Sequence, residues 1–570
     1  MVISGDYQIH EDSISFKTEE AFSIYWDGRP GNLLEFAFKP TSADYQIEVA
    51  IDGQIEELDL FREIDELDVV YSRDFSLNPF LFFPYILSFF VSFFALFAFI
   101  FLLAKGLRFR TLTNEQSVWF IYLIPPLLSI TMMWMILWPG VITPDSLNQW
   151  QQARTLQITG WFPVLHTLMI AVLTRIWNSP AVVVGFQAAV ILAVLGYGFH
   201  TLERLRVSHF VLAALSLIIS VWPPFALTSI TLWKDTLFAG FMLWFYIGVL
   251  AVVIHEGEWL NKQTNCWTLF VSALLVSMFR QNGMPVVFIT FIALMLGFRK
   301  FWKPLSAGLL GILIIWALVQ FPLTNYLSEE RENSTSQINL ILLGHIAAHI
   351  NAGTEFSAAD RAFLESIVPL EGWAEYDCCF AGDISYLESF DRGTYLTNLN
   401  RNWDIFIDLM RKDPMVNLRH QQCAGEITWR FLNNRCQMKS LHGITRGISG
   451  SESWIIDNDL GLVESSRLPA LVHPLMNVYR AFGFFGENQW TVLFRPALFT
   501  FVSLLCIALA SLRLDNQRLL LLTLPVLSYV FPLFLIKYSP AFRYQYAVIL
   551  IGLFSLGLPF IPSFGKEKVA

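Results

Sequence analysis

Residues 117–153 read SVWFIYLIPPLLSITMMWMILWPGVITPDSLNQWQQA. The first part is an apolar run long enough for the roughly 20 residues that cross a bilayer as a helix. It stops at Trp138-Pro139-Gly140. Thr143-Pro144-Asp145 then has the form of a helix start: a hydroxyl to cap, a proline suited to the first turn, and a carboxylate at the positive end of the helix dipole. A membrane span thus delivers a carboxylate to a rim, where it either steadies a helix terminus or meets a lipid headgroup.

The rest of the chain fits that reading. Of 570 residues, 55% are hydrophobic and 15% charged, with a mean hydropathy of +0.50, which lies outside the soluble range. Apolar runs predict spans near 79–104, 117–138, 180–200, 208–222, 236–254, 265–280, 283–299, 305–322, 491–511, 517–536 and 542–561, about 11 transmembrane helices in all. Residues 163–177 (PVLHTLMIAVLTRIW) are apolar but short, and are expected to lie as a helix in the interface.

Sidedness comes from the basic residues of the short connections. One side carries Lys105, Arg108, Arg110, Arg204, Arg206, Lys262, Arg299, Lys300, Lys303, Arg513, Arg518, Lys566 and Lys568; the other carries Arg154, Arg175, Lys234, Arg280, Lys537 and Arg543. Positive charge is retained in the cytoplasm. The first set, with the tail 562–570, is therefore expected inside, in a multi-pass protein of the bacterial cytoplasmic membrane. The polar segments 139–179, WPPFALTSITLWKD, FRQNG, 323–490 and IKYSPAFRYQY are expected outside.

The predicted fold class is a mainly α integral membrane protein with two additions. Residues 1–75 alternate as strands do (YQIEVAID, ISFK), which predicts a small β-rich extracytoplasmic domain. No basic-then-apolar leader opens the sequence. Helical periodicity in QINLILLGHIAAHI, AADRAFLESIV, NWDIFIDLMR and VNLRHQQCAGEITWRFL predicts a mainly helical extracytoplasmic domain over 323–490. It follows the membrane core 79–322 and precedes the C-terminal helices 491–561.

Several functions are disfavoured at this point. A net charge of -9 without a basic block argues against nucleic acid. Gly-rich phosphate loops are missing from the sequence, so a nucleotide sugar has no evident site. His345 and His349 share a helix face, but no acidic residue stands between them as in HExxH, and they read as satisfied on a helix surface. No tightly held metal is expected; a divalent ion has no motif to support it, and no other cofactor is expected. Cys378, Cys379, Cys423 and Cys436 lie in one polar region and are either disulfides or free thiols.

In order along the chain, PDSLNQW, FPVLHTLMI, LWKDTLFA, FRQNG and FRYQY resemble a bacterial subgroup of GT-C-like membrane proteins. The GT-C superfamily comprises polytopic glycosyltransferases that use polyprenyl-phosphate sugars. The resemblance covers the membrane part from about 117 to 322, and the whole chain in outline. It implies an inverting transfer of a sugar from a polyprenyl-phosphate donor to a cell-envelope glycan, lipid or protein acceptor, at the extracytoplasmic face and among membrane lipids.

On that resemblance Asp145 is the general base that takes the proton from the acceptor hydroxyl. Asn148 and Gln149, with Ser146, follow within a turn and are placed to bind sugar hydroxyls or simply to face water. Lys234, Arg280 and Arg543 are the candidate cations for the leaving phosphate, or else interfacial snorkellers. Asp235 either pairs with Lys234 or serves as a second carboxylate. His166 stands where relatives carry a His-Pro or Lys-Pro pair, from which this chain departs by placing Phe162-Pro163 first. The alternatives are a flippase or transporter of a lipid-linked glycan, an oligosaccharide polymerase or ligase, or a non-catalytic scaffold. Transporters tend to hold ionisable groups near the midplane, whereas here they gather at helix ends.

Overall fold

The computed structural model of the chain describes residues 118–159, 162–323, 335–380, 383–431, 436, 445–446, 452–481, 495–535 and 541–563, together with eight strand segments between residues 2 and 74. Residues 1–102 and 103–570 form separate units.

In the first unit, Val2–Ser4 pairs with Ser23–Tyr25, Tyr7–Ile9 with Ile14–Phe16, Leu33–Phe38 with Val69–Asp74, and Gln46–Ile51 with Gln54–Asp59, all antiparallel. Among the described residues the strands join only two at a time. The expected single β domain is therefore corrected to separate two-stranded pairs: alternation along a strand favours a hairpin locally, but does not dictate the lateral pairing that makes a larger sheet.

The second unit is a polytopic, mostly α-helical membrane protein. Among the described residues seven helices are long and apolar enough to span: Trp119–Ile136, Pro180–Arg204, Lys234–Ile254, Arg299–Leu323, Pro496–Leu514, Gln517–Leu535 and Phe542–Phe560. An eighth is reached only if His209–Val221 and Pro224–Ile230, bent by 65°, count as one. The expectation of about 11 spans is corrected accordingly. The runs 265–280 and 283–299 form helices of 17 and 15 residues, about 25 and 22 Å long, against a hydrocarbon core of about 30 Å. The run 208–222 breaks at Trp222-Pro223-Pro224, and the predicted span 79–104 lies outside the described residues. Residues Val164–Ile176 form a 13-residue helix, too short to count among the spans.

The helices used below are α1 (Ile124–Ile136), α2 (Pro144–Thr155), α3 (Val164–Ile176), α4 (Pro180–Arg204), α5 (His209–Val221), α6 (Pro223–Ile230), α7 (Lys234–Ile254), α8 (Gln263–Phe279), α9 (Gly283–Gly297) and α10 (Trp302–Leu318). Helix α7 is apolar all round because it is the axis of the bundle, with Phe245, Tyr246 and Val249 fully buried. Peripheral spans instead present Leu128, Leu310 and Phe531, between 58 and 63% exposed, to the surroundings. Large apolar side chains on the outside and apolar packing inside are what lipid as solvent requires.

After α10 comes a helical unit built on α11 (Thr335–Asn351), α12 (Ala358–Ile367), α13 (Leu399–Lys412), α14 (Pro414–Ala424) and α15 (Glu426–Trp429). None of these is among the seven spans. Its core joins Leu343, Ile346, Leu364, Trp373, Tyr395 and Leu409. Two disulfides, Cys378–Cys423 and Cys379–Cys436, cross-link it. His345 and His349 are satisfied, but not on a helix surface as expected: they are 8 and 0% exposed against α14. The His345 Nδ1–H donates to Asn417 Oδ1 at 2.8 Å, and the Asn417 amide donates to His349 Nε2 at 2.7 Å.

The chain returns to the bundle through α16 (Val472–Ala481), α17 (Pro496–Leu514), α18 (Thr523–Leu535) and α19 (Tyr546–Ser555). Helices α17 and α19 approach closely because Gly552 has no side chain; a Cβ there would meet the Phe499 Cβ at 2.7 Å.

Candidate functional site

The turn Pro139–Ile142 is held from two sides. Val141 N–H donates to the Ile230 carbonyl at 3.1 Å, and Leu232 N–H returns to Val141 at 3.0 Å. Ile142 N–H donates to Trp454, and Ile456 N–H to Ile142, at 2.8 and 3.1 Å. A short extended segment thus locks the start of α2 to the start of α7 and to residues 454–456. Gly140 makes the approach possible at φ +136°, with Val184 and the Ile230 carbonyl where a side chain would stand.

The predicted helix start is present. The Thr143 hydroxyl accepts from Ser146 N–H, and also from the Trp233 indole N–H at 2.9 Å. One oxygen therefore caps α2 and ties it to the residue preceding α7. Asp145 follows in the first turn of α2, and Lys234 and Asp235 in the first turn of α7.

Two buried or half-buried ion pairs form across the bundle end. Arg543 Nη2 lies 2.6 Å from Asp145 Oδ2. Arg280, at the C-terminal end of α8, pairs with Asp235, whose side chain is 1% exposed. Asp235 thus pairs with Arg280 rather than with the adjacent Lys234, since neighbouring residues on a helix point in different directions. Lys234 has no ion pair or hydrogen bond among the described residues; its Nζ sits 4.6 Å over the Phe162 ring. Three cations face two carboxylates, leaving a formal excess of one positive charge.

Aromatic rings floor the cluster. Arg543 stacks over Trp233 and Tyr544, each at 5.3 Å, and Arg280 lies 4.9 Å from the same Tyr544 ring. The Tyr544 carbonyl is itself held by the Tyr529 hydroxyl.

His166 is fully buried beside Phe279, with a ring separation of 6.1 Å. Burial, with a contribution from the Lys234 charge, lowers its pKa to about 3, so the imidazole is neutral. Among the described residues neither ring nitrogen has a hydrogen-bond partner of good geometry, nor does Gln187 Oε1 nearby. Buried polar atoms in that condition are uncommon in a packed core and make this a candidate polar site.

Of the residues singled out from sequence, Asp145, Lys234, Asp235, Arg280, Arg543 and His166 converge. Asn148 does not: it is exposed and accepts the Gln152 side-chain amide at 2.6 Å. Gln149 is 1% exposed, and its amide nitrogen has no hydrogen-bond partner among the described residues; it lies on the inner face of α2 with Ser146 and Trp150. Sequence reasoning missed Trp233, Tyr544 and Gln187. A polar Gln187 inside the apolar run AVVVGFQAAV was the one legible signal, because such a residue must find a partner; its amide donates to the Thr231 carbonyl at 2.9 Å.

Each carboxylate of the cluster is paired with a guanidinium group. Elsewhere, sulfurs of Cys378, Cys379 and Cys423 lie within 4.8 Å of one another. All three are tied into disulfides, which removes the thiolates that bind metal.

Residues 163–347 are similar to a family of unknown function, DUF6020. That stretch contributes His166, Lys234, Asp235 and Arg280 to the cluster, while Asp145 and Arg543 come from outside it. No curated protein and no solved structure matches the chain.

Proposed function

We propose that this protein is an inverting membrane glycosyltransferase that moves a sugar from a polyprenyl-phosphate donor to a cell-envelope acceptor at the extracytoplasmic face. The observation that carries the reading is the convergence of Asp145 with Lys234, Arg280 and Arg543 at one end of an otherwise apolar bundle. A lipid carrier lying among the spans would present its phosphate at such a rim.

Asp145 has one oxygen, Oδ2, engaged by Arg543. The other carboxylate oxygen accepts the proton of the acceptor hydroxyl as that hydroxyl's oxygen attacks the anomeric carbon. The bond between the anomeric carbon and the phosphate oxygen breaks, and its electron pair leaves with the phosphate. Lys234, which lacks an ion partner among the described residues, sits where it offsets that charge, with Arg543 and Arg280 behind it. Neutral His166 contributes a hydrogen bond rather than a charge.

Three further features support this reading. The ionisable groups stand at helix ends, with Lys234 the first residue of its helix and Arg280 closing α8, which suits transfer at a rim better than passage through a midplane. The basic bias of the opposite connections favours an outward-facing rim. The two disulfides in the helical unit suit an oxidising compartment.

The test is transfer by the purified chain in nanodiscs supplied with polyprenyl-phosphate-linked hexoses and envelope glycan acceptors. Asp145→Asn is expected to leave the protein folded and to lower transfer by about 10²–10⁴-fold. Near-normal transfer by that variant removes Asp145 as the base, and labelling of its loop from the cytoplasmic side removes the reading altogether.

A further inference from the structure

Helices α14 and α15 are the part of the helical unit that meets the ends of two spans. The Gln421 side-chain amide donates to the Phe534 carbonyl, one residue before α18 ends. Gly425 lies so close to the Phe534 ring that a Cβ would clash with it. Just beyond α15, the Phe431 ring meets Phe501 at 5.7 Å, in the second turn of α17. The start of α17 and the finish of α18 therefore mark one level of the bundle. Phe501, Phe531 and Leu535 there are 47, 62 and 42% exposed, so the lipid-facing surface of the spans reaches α14 and α15.

The outward face of α14 and α15 carries that surface further. Met415, Leu418 and Trp429 are 51, 47 and 41% exposed, while Val416, His420, Ala424 and Ile427 turn inward. In water this pattern would leave three large apolar side chains exposed that none of the described residues covers. Arginines flank them: Arg411 and Arg419 are exposed, with the half-buried Asp413 spent on capping α14, and Arg430 lies 5.5 Å over the Trp429 ring. The acidic residue of the segment, Glu426, is 1% exposed and paired with Arg430. An apolar stripe with a tryptophan and flanking arginines is the composition of a helix that lies in a bilayer interface.

We propose that Pro414–Trp429 anchors the helical unit to the membrane surface, with Met415, Leu418 and Trp429 inserted at the headgroup level and Arg411 and Arg419 held by anionic lipid phosphates. The occupant is lipid because the stripe continues, through Phe534 and Phe501, the surface that the spans already turn to the bilayer. The anchor fixes the height of the helical unit above the bundle end. It depends on the membrane-spanning architecture alone and stands whether or not the chain transfers sugars.

Spin labels at Met415→Cys, Leu418→Cys and Trp429→Cys, with Glu365→Cys on α12 as the aqueous reference, test this in the full chain. Signal from unsubstituted protein is subtracted for Cys266 and Cys506. In nanodiscs of phosphatidylcholine with phosphatidylglycerol, the ratio of collision with oxygen to collision with a water-soluble nickel chelate is expected to be several-fold higher at the three anchor positions than at residue 365. Removing phosphatidylglycerol, or introducing Arg419→Glu, is expected to shift Leu418→Cys toward the aqueous value. The proposal is overturned if Leu418→Cys is as open to the chelate as Glu365→Cys. It is equally overturned if the label is shielded from both reagents, because a protein surface then covers the stripe.

Discussion

Arg543 and Asp145, contributed by opposite ends of the membrane core, meet through Nη2 and Oδ2 at 2.6 Å, with side chains 15 and 35% exposed. The pair lies neither in open water nor deep in the interior. A double-mutant cycle between Asp145→Asn and Arg543→Gln in detergent is expected to show a coupling energy of about 0.5–3 kcal/mol in thermal or denaturant unfolding. Additive effects would show that the pair contributes nothing to stability. In transfer assays, Arg543→Lys is expected to fall well below wild type despite keeping its charge, because an ammonium group cannot reproduce the guanidinium fork or its stacking on Trp233.

Asp235 and Arg280 form the more enclosed pair and tie the start of α7 to the end of α8. Asp235→Asn leaves a guanidinium group with little solvent and no counter-charge, a change that typically costs about 3–5 kcal/mol. Arg280→Met in the same chain removes that stranded charge and is expected to recover much of the loss. Measured stabilities in which the double variant is worse than Asp235→Asn alone would contradict the pairing.

Gly140 makes a sharp local prediction. Gly140→Ala meets both a positive φ and the Val184 side chain at 2.5 Å, with roughly 1–3 kcal/mol for the backbone strain and a similar amount for the crowding. Val184→Ala is expected to relieve the crowding but not the strain. Unfolding midpoints of the single and double variants separate the two, and wild-type stability of the Gly140→Ala chain would show that the turn relaxes.

The histidines of the helical unit predict acid sensitivity. Burial lowers His345 to about 4 and holds His349 and His420 below their ordinary value, with the three charges opposing one another and Asp413 favouring protonation of His349. The Tyr376 hydroxyl meets His420 Nδ1, and the His345 and His420 rings are 4.3 Å apart. The unfolded chain binds these protons near pH 6.5 and the folded one only at lower pH, so stability is full above 6.5 and declines as pH falls toward 4. His345 alone would account for up to about 3 kcal/mol at the end of that window. Hydrogen exchange in α11 and α14 should rise between pH 6.5 and 4.5, and His345→Gln should flatten the slope. A pH-independent profile would contradict the buried neutral cluster.

Sequence by itself determined the membrane character, seven of the spans, the helix start at Thr143 and the cationic and acidic residues at helix ends. Each of these depends on composition or on neighbours within a few residues: an apolar run long enough to cross, a cap, a proline, a charge beside an apolar stretch. It overcounted spans where short helices such as α8 and α9 are apolar, because hydropathy does not measure helix length once Arg280 and Gly283 have interrupted the run. Only the tertiary structure decided which charges meet. Asp235 took Arg280 instead of its neighbour Lys234, Arg543 reached Asp145, and His345 and His349 turned inward to Asn417. Pairing across a bundle is set by where distant helices end in space, and that geometry has no signature in local periodicity.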